Sequence, residues 1–403
     1  MTTETMAGSA FRSAPFRRLW TAGLLSDTGD WLLFIALPLV VLRLTGSAVA
    51  TSFAFVLELV PAIVLAPLVA RLVNRLDRRT FMWMINVGQA LSLIPLLFIH
   101  ALEDLPLVYV VIVLQAVFSA AFEPTKNALL PALVGADRIV SANALVSLNQ
   151  NLGRLLGGPL GGVLLAVGNL SLVVAADLAS YLASAVLVTC LPQSRPPAST
   201  VRAPRSSLVR VLIDRNLRGP FTVIFATSIA QGMFVVLFVF FVTDTLGGTE
   251  ADVGLLRGVQ AIGAIAAGIA LGFIASRIGV RALSITGATA FAVVSLIIWN
   301  LSFVTDELWA YIVLFAVVGA PGVFLGDGLV SILQLTSNDD QRGSVFATLG
   351  LVMALGQSVG LLIAGALQET VGTLPLLELQ GVIYLLAAGL ACLLLKSPPA
   401  KAG

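Results

Sequence analysis

Charge is what this sequence has least of. Asp, Glu, Lys and Arg together make up 11% of its 403 residues, while 58% are hydrophobic. A soluble domain carries about 25% charged residues, so most of this surface cannot be turned toward water, and a soluble globular protein is excluded. One histidine and two cysteines provide no zinc or haem ligand set and no disulfide framework. Cys190 and Cys392 each lie in an apolar run, and His100 sits at the end of another. No glycine-rich loop followed by a lysine is present to cradle a nucleotide's phosphates, which excludes ATP-driven work. The net charge of +2 is too small to draw in nucleic acid, and no cofactor and no metal are expected.

What fills the chain instead is oil. The mean hydropathy is +1.00, and apolar segments recur from end to end, at 18–43, 48–71, 80–101, 106–128, 141–167, 170–191, 219–244, 252–275, 282–304, 309–334, 344–367 and 376–395. Lipid offers the backbone no hydrogen-bond partner, so a spanning segment must be a helix or part of a closed barrel. Barrel strands alternate over about ten residues; these runs reach the roughly 20 residues of a spanning helix and do not alternate. The expected fold class is an all-α integral membrane protein with twelve transmembrane helices.

The few charges set the orientation. If both termini are cytoplasmic, the cytoplasmic side collects all of the 23 Lys and Arg except Arg43, Arg154 and Arg257. The opposite side then carries Glu103, Asp104, Asp244, Glu250, Asp252, Asp306, Glu307 and Glu369, as the positive-inside rule requires. The opening "MTTETMAGSAFRSAPFRRLW" is basic but has no short apolar core before a cleavage site, and reads as a cytoplasmic lead-in. Pro192 to Gly219 is rich in Pro, Ser and Arg. The chain therefore divides into an N-terminal six-helix bundle (1–191), a cytoplasmic linker (192–218) and a C-terminal six-helix bundle (219–403) of a multi-pass plasma (inner) membrane protein.

The halves repeat. "ARLVNRLDRR" follows the second segment and "GFIASRIGVR" the eighth, with Arg75 matching Arg277 and Arg79 matching Arg281. Parallel six-helix repeats build one large class of secondary transporters, and these turns resemble the major facilitator loop signature G-x-x-x-D-R-x-G-R-R. The second copy keeps Gly272, Arg277, Gly279 and Arg281, whereas the first has Ala70, Asn74 and Asp77 in place of Gly, Asp and Gly. The resemblance assigns a gating role to Asn74, Arg75, Asp77, Arg78, Arg79, Arg277 and Arg281, with Asp77 standing in for the missing acid. In the fifth segment, Gly158, Pro159 and Gly162 resemble the antiporter signature of proton-driven exporters. Proline removes a backbone donor and kinks a helix, and glycines admit a neighbouring helix closely; the same motif also serves plain packing. "FRRLW…LSDTGDW", "LTGSAVA" and "EPTKNALLPALV…SANAL" are similar to the twelve-span drug:proton antiporters, which include macrolide and multidrug exporters. Siderophore exporters and lysophospholipid flippases share that scaffold. The resemblance implies two pseudo-symmetric bundles and a monomer that moves a small amphipathic substrate against protons.

Acids within the oil carry the mechanism. Asp27 and Asp30 share one face of the first segment at i and i+3, Glu58 lies mid-way along the second and Arg154 along the fifth. Each such charge costs about 2.5–3.5 kcal/mol on insertion scales, so it must face a cavity, find a partner or carry a proton. Desolvation disfavours a charged carboxylate and a nearby arginine favours it; a cavity open alternately to each side can swing that balance. Asp30, Glu58 and Arg154 are expected as a central coupling cluster, the alternative being a permanent Asp30–Arg154 ion pair. Asp27 either joins the coupling or steadies a loop. The expected substrate cavity is Trp31, Phe34, Asn149, Gln150, Phe234, Phe238, Gln231, Gln260, Asp327 and Gln357, with Gln334 and Trp299 as further candidates. Asp177 and Glu378 have structural or functional readings, Glu123 and Lys126 read as a local pair, and Arg257 is placed to meet Asp244 or Asp252.

Overall fold

The computed structural model describes residues 10–73, 75–99, 101–135, 138–194, 208–274, 278–337 and 341–395. Among the described residues the α-helical ranges are α1 (Ala14–Thr45), α2 (Ala48–Val73), α3 (Arg78–Leu93), α4 (Leu105–Val134), α5 (Ile139–Thr189), α6 (Leu208–Ile213), α7 (Arg218–Phe240), α8 (Glu250–Ile274), α9 (Val280–Leu301), α10 (Leu308–Thr336), α11 (Arg342–Val371) and α12 (Thr373–Leu394). No strand occurs among the described residues. Among the described residues each expected apolar segment is helical over most of its length; the third leaves the α-helix at Leu93 for a 3-10 turn, Ile94–Phe98.

The α5 range holds the fifth and sixth expected segments as two helices that meet at Asn169 (φ 71°, ψ −179°) with no loop between them. Asparagine tolerates positive φ, and its side-chain oxygen accepts a hydrogen bond from the amide of Ser171 at 2.9 Å, capping the second arm. Within the expected linker, α6 is helical and Arg218 already opens α7. Ten helical stretches among the described residues are long and apolar enough to cross a membrane. The first arm of α5 is not one of them, because Asn149, Gln150, Asn151 and Arg154 dilute its hydropathy.

The chain gathers into two compact units. The first comprises residues 1–46, 57–201 and 250–258; the second comprises 47–56, 202–249 and 259–403. Each has its own apolar core. Phe16, Leu19, Met82, Phe122 and Leu130 centre the first, and Phe221, Leu329, Leu333, Val345 and Tyr384 the second. Large apolar side chains also stand outward, Val167, Phe273, Val304 and Leu393 among them. In water that would be a liability; in lipid it is the solvated state.

Close helix approach fixes the register of each unit. On α5, a Cβ at Gly153 would stand 2.7 Å from the Cβ of Asp27, and one at Gly157 would collide with the carbonyl oxygen of Thr28. α1 therefore lies directly on the α5 backbone, which only glycine permits. α11 receives α7 in the same way, with Gly356 2.7 Å from Ser228 Cβ by the same construction and Gly360 against the carbonyl of Ile229.

Candidate functional site

The α1–α5 contact brings polar groups together in the first unit. Asp30 Oδ1 accepts a hydrogen bond from the Tyr181 hydroxyl at 2.5 Å and one from Gln89 Nε2 at 3.4 Å. The Tyr181 oxygen lies 3.3 Å from Gln115 Oε1. Gln115 Nε2 donates to the Gln89 carbonyl at 3.0 Å and to Ser92 Oγ at 3.1 Å. Asp177, one turn before Tyr181, is fully buried; its Oδ1 accepts from Ser180 Oγ at 3.0 Å. A Cβ at Gly29 would overlap that carboxylate, so α1 passes directly over it.

One turn earlier on α1, Asp27 meets a cation. Lys126 of α4, 1% exposed, bridges Asp27 Oδ2 at 3.7 Å and forms a closer ion pair with Glu123. Gln150 Nε2 donates to the other oxygen of Glu123 at 3.1 Å. The Glu123–Lys126 pair expected from their spacing is present, and Asp27 extends it into a triad. Lys126, expected near the cytoplasmic end of the fourth segment, is buried inside the bundle, eight residues before the end of α4.

Between these groups opens a cavity of about 360 Å³, lined by Asp27, Asp30, Trp31, Ser119, Phe122, Glu123, Gln150, Asn151 and Arg154. Arg154 lies over the Trp31 ring, 5.2 Å from guanidinium carbon to centroid, and its Nε donates to the Arg257 carbonyl at 3.3 Å. Glu58, half-buried on α2, is within electrostatic reach of Asp30 but is not part of the cavity lining among the described residues. The shortest bond to Asp30 thus comes from a phenol, and the cation beside Asp27 comes from α4. Arg154 instead combines a π-stacked position with the cavity wall.

Other expected site residues fall in varied settings. In the first unit, Phe34 packs edge-on against Trp31 at 4.8 Å, with Arg257 5.6 Å above its ring. Asn149 is buried and donates to the Trp20 carbonyl at 2.9 Å. In the second unit, Phe234 and Phe238 belong to a buried aromatic cluster with Trp299 and Phe315. Gln231 Oε1 accepts from the Tyr384 hydroxyl at 3.3 Å, Gln260 is buried, Gln357 is half-buried, and Asp327 is exposed. Helical geometry continues through Pro159, and the break in α5 comes at Asn169. Gly258 of α8 rests on the Pro159 ring, 3.3 Å from the Leu155 carbonyl by the Cβ construction, an oxygen that proline deprives of its helical donor. Gly158 and Gly162 face Gly254 and Glu250 of the same helix.

Of the loop residues, Asn74 and Arg277 lie outside the described residues. Asp77 caps α3: its Oδ1 accepts from the Thr80 amide at 2.9 Å and its Oδ2 from the Ser194 amide at 2.9 Å. Partial burial pushes the Asp77 carboxyl up, but these bonds, the Thr80 hydroxyl and the Arg79 charge outweigh it and hold the group below the ordinary carboxylate range. Arg78 Nη1 donates to the Ala128 carbonyl at 2.9 Å, Arg281 Nη2 to the Cys392 carbonyl at 2.8 Å, and Arg75 is exposed in the turn.

The sequence reading missed Tyr181, Gln89 and Gln115, which are neutral and so escape a search for intramembrane charge. A usable signal was present. Tyr181 is one of four tyrosines, four residues beyond Asp177 and hence on the same helical face.

An all-helical chain with many lipid-length helices and carboxylates around an internal cavity is built as a multi-pass membrane transporter. The chain belongs to the Major Facilitator Superfamily, whose sequence profile matches residues 19–243 and again 220–403. It is 22% identical to "Macrolide efflux protein A" of Streptococcus pyogenes over 93% of this chain and 94% of that protein. It is 32% identical to the "Uncharacterized MFS-type transporter YfiS" of Bacillus subtilis (strain 168), over 42% of this chain and only 40% of that protein. In fold it matches a bacterial homologue of the iron transporter ferroportin in its inward-facing state (TM-score 0.72, 16% identity, 94% of this chain and 98% of that one). It also matches the POT family transporter PepTSo (TM-score 0.75, 8% identity, 94% and 97%).

Proposed function

We propose that this transporter is a proton-coupled exporter of amphipathic drugs, a twelve-span monomer of the plasma membrane with both termini in the cytoplasm. In this reading it works by alternating access of an N-terminal bundle (1–191) and a C-terminal bundle (219–403) joined by the 192–218 linker. The observation that carries the reading is the cavity in which Asp27 and Asp30 share walls with Trp31, Phe122 and Arg154: carboxylates able to exchange protons beside apolar surface able to hold an amphiphile. Full-length similarity to a macrolide efflux protein supports export as the direction.

Asp30, Asp27 and Glu58 are the coupling acids, and Arg154 is the cation that biases them. A proton entering from the exterior neutralises a carboxylate and leaves to the cytoplasm as substrate moves outward; a cationic substrate entering the same cavity favours that release by Coulomb repulsion. Asn74, Arg75, Asp77, Arg78, Arg79, Arg277 and Arg281 form the gating turns, and Gly158, Pro159 and Gly162 set the α5–α8 approach. Gln150 joins the wall of that cavity, and Phe34, Asn149, Phe234, Phe238, Gln231, Gln260, Asp327 and Gln357 are the further proposed substrate-contacting residues. The test is uptake by inside-out vesicles of a panel comprising a macrolide, lipophilic drugs, a siderophore and a lysophospholipid, with an imposed pH jump. Drug accumulation should require the gradient and stop when an ionophore collapses it. Uptake indifferent to the gradient would contradict proton coupling.

A further inference from the structure

Tyr181 is fully buried, and its single hydroxyl proton has Asp30 Oδ1 at 2.5 Å and Gln115 Oε1 at 3.3 Å as acceptors, with the Asp177 carboxylate also within hydrogen-bonding reach of the phenol. Of the first two the nearer is a carboxylate, and charge-assisted bonds of this length are the stronger kind. Gln115 is itself tied to Gln89 and Ser92, neutral groups on α3 and α4, while the Asp27 and Asp177 carboxylates also lie near the phenol. The second unit holds an internal counterpart. Gln231 comes 201 residues after Asp30 and Tyr384 comes 203 after Tyr181, and the Tyr384 hydroxyl meets the Gln231 amide oxygen at 3.3 Å. A tether of purely structural use works with either acceptor. Only the first unit puts a titratable group there.

We propose that Tyr181 is a positioning residue for proton exchange at Asp30: its hydroxyl fixes the rotamer of that carboxylate and stabilises the charged form, so that Asp30 releases its proton at a lower pH than the cavity alone would permit. The inference rests on the proton-coupled reading above. Other charges act on Asp30 as well: Asp27 on α1, Glu58 on α2, Glu123 and Lys126 on α4 and Asp177 on α5, with Arg154 across the cavity. Tyr181 and Gln89 donate hydrogen bonds to it.

The test reads Asp30 directly. Carbodiimide modifies protonated carboxyls, and peptide mass spectrometry of the full chain in nanodiscs follows labelling at Asp30 as a function of pH. Tyr181→Phe removes the donor and keeps the ring, so the labelling midpoint should rise by about one pH unit. Tyr384→Phe, whose acceptor is neutral, should leave the Asp30 midpoint in place. Equal midpoints in all three proteins would overturn the proposal. If Tyr181→Phe does not yield folded protein, 3-fluorotyrosine at position 181 gives a second measurement: its fluorine resonance should titrate with Asp30 and become flat in the Asp30→Asn background, and a flat response in both overturns the proposal. Labelling needs no transport, so the two readings fail separately. Gradient-independent export would sink the coupling and leave the shift, whereas an unshifted midpoint beside gradient-driven export would sink the role of Tyr181 alone.

Discussion

Gly153 and Gly157 of α5 receive α1 at Asp27 and Thr28; 203 residues later, Gly356 and Gly360 of α11 receive α7 at Ser228 and Ile229. The helix contact is the same in both units, and so is the tyrosine that reaches back to the first helix of each. The chemistry along the contact differs. Asp27, Asp30 and Arg154 stand where the second half has Ser228, Gln231 and Gln357, and the aromatic cluster of Phe234, Phe238, Phe241, Trp299, Tyr311 and Phe315 occupies the interior of the second unit. Since the second half builds the same packing without charge, packing does not require the charges of the first. At about 2.5–3.5 kcal/mol each on insertion scales, they are retained for what they do.

Paired substitutions sharpen this contrast. Lys126→Met in the first unit leaves Asp27 and Glu123 facing one another without their cation. Breaking a buried ion pair from one side costs about 3–5 kcal/mol, so the thermal unfolding midpoint in detergent should fall by several degrees. Gln231→Leu, which removes the acceptor of Tyr384 in the second unit, should cost only about 1 kcal/mol. Equal losses from the two would erase the distinction between a charged and a neutral half.

A smaller effect is expected at the loop. Asp77→Ala deletes the cap of α3 and should lower stability by about 1 kcal/mol. The folded carboxyl lies below its ordinary range, so its contribution is complete above the unfolded-state value and disappears as pH falls through the folded one. Wild type and variant should therefore converge in acid, measured as chemical unfolding against pH; a difference constant with pH would assign the effect to something other than the charged cap.

The architecture was legible because hydropathy is a long-wavelength signal. Each apolar run is helical over most of its described length; some ends moved outward because backbone hydrogen bonding continues past the apolar stretch, as at Thr45 and Val371, while the third run leaves the α-helix at Leu93 and the ninth at Leu301. The tightness of the junction at Asn169 was hidden because a lone asparagine between two apolar runs reads as a loop, whereas its positive φ ends one helix and its side chain caps the next with no loop between them. At the site, the acids were visible as charges in oil, and Asp27 and Asp30 do line one cavity. Their partners were not visible. Lys126 reads as a local partner of Glu123 alone, since nothing in the sequence ties α4 to Asp27 of α1, and Tyr181 and Gln89 come from helices far apart in sequence, joined to Asp30 only by the fold.

The central claim, that coupling resides in the charged half, is tested most directly by proton flux in proteoliposomes carrying one substitution at either of the repeat-related positions, Asp30 or Gln231. Asp30→Asn should abolish substrate-dependent proton movement after a pH jump while the protein stays monodisperse, and Gln231→Leu should retain it. Undiminished flux in Asp30→Asn, or loss in Gln231→Leu alone, would contradict the account.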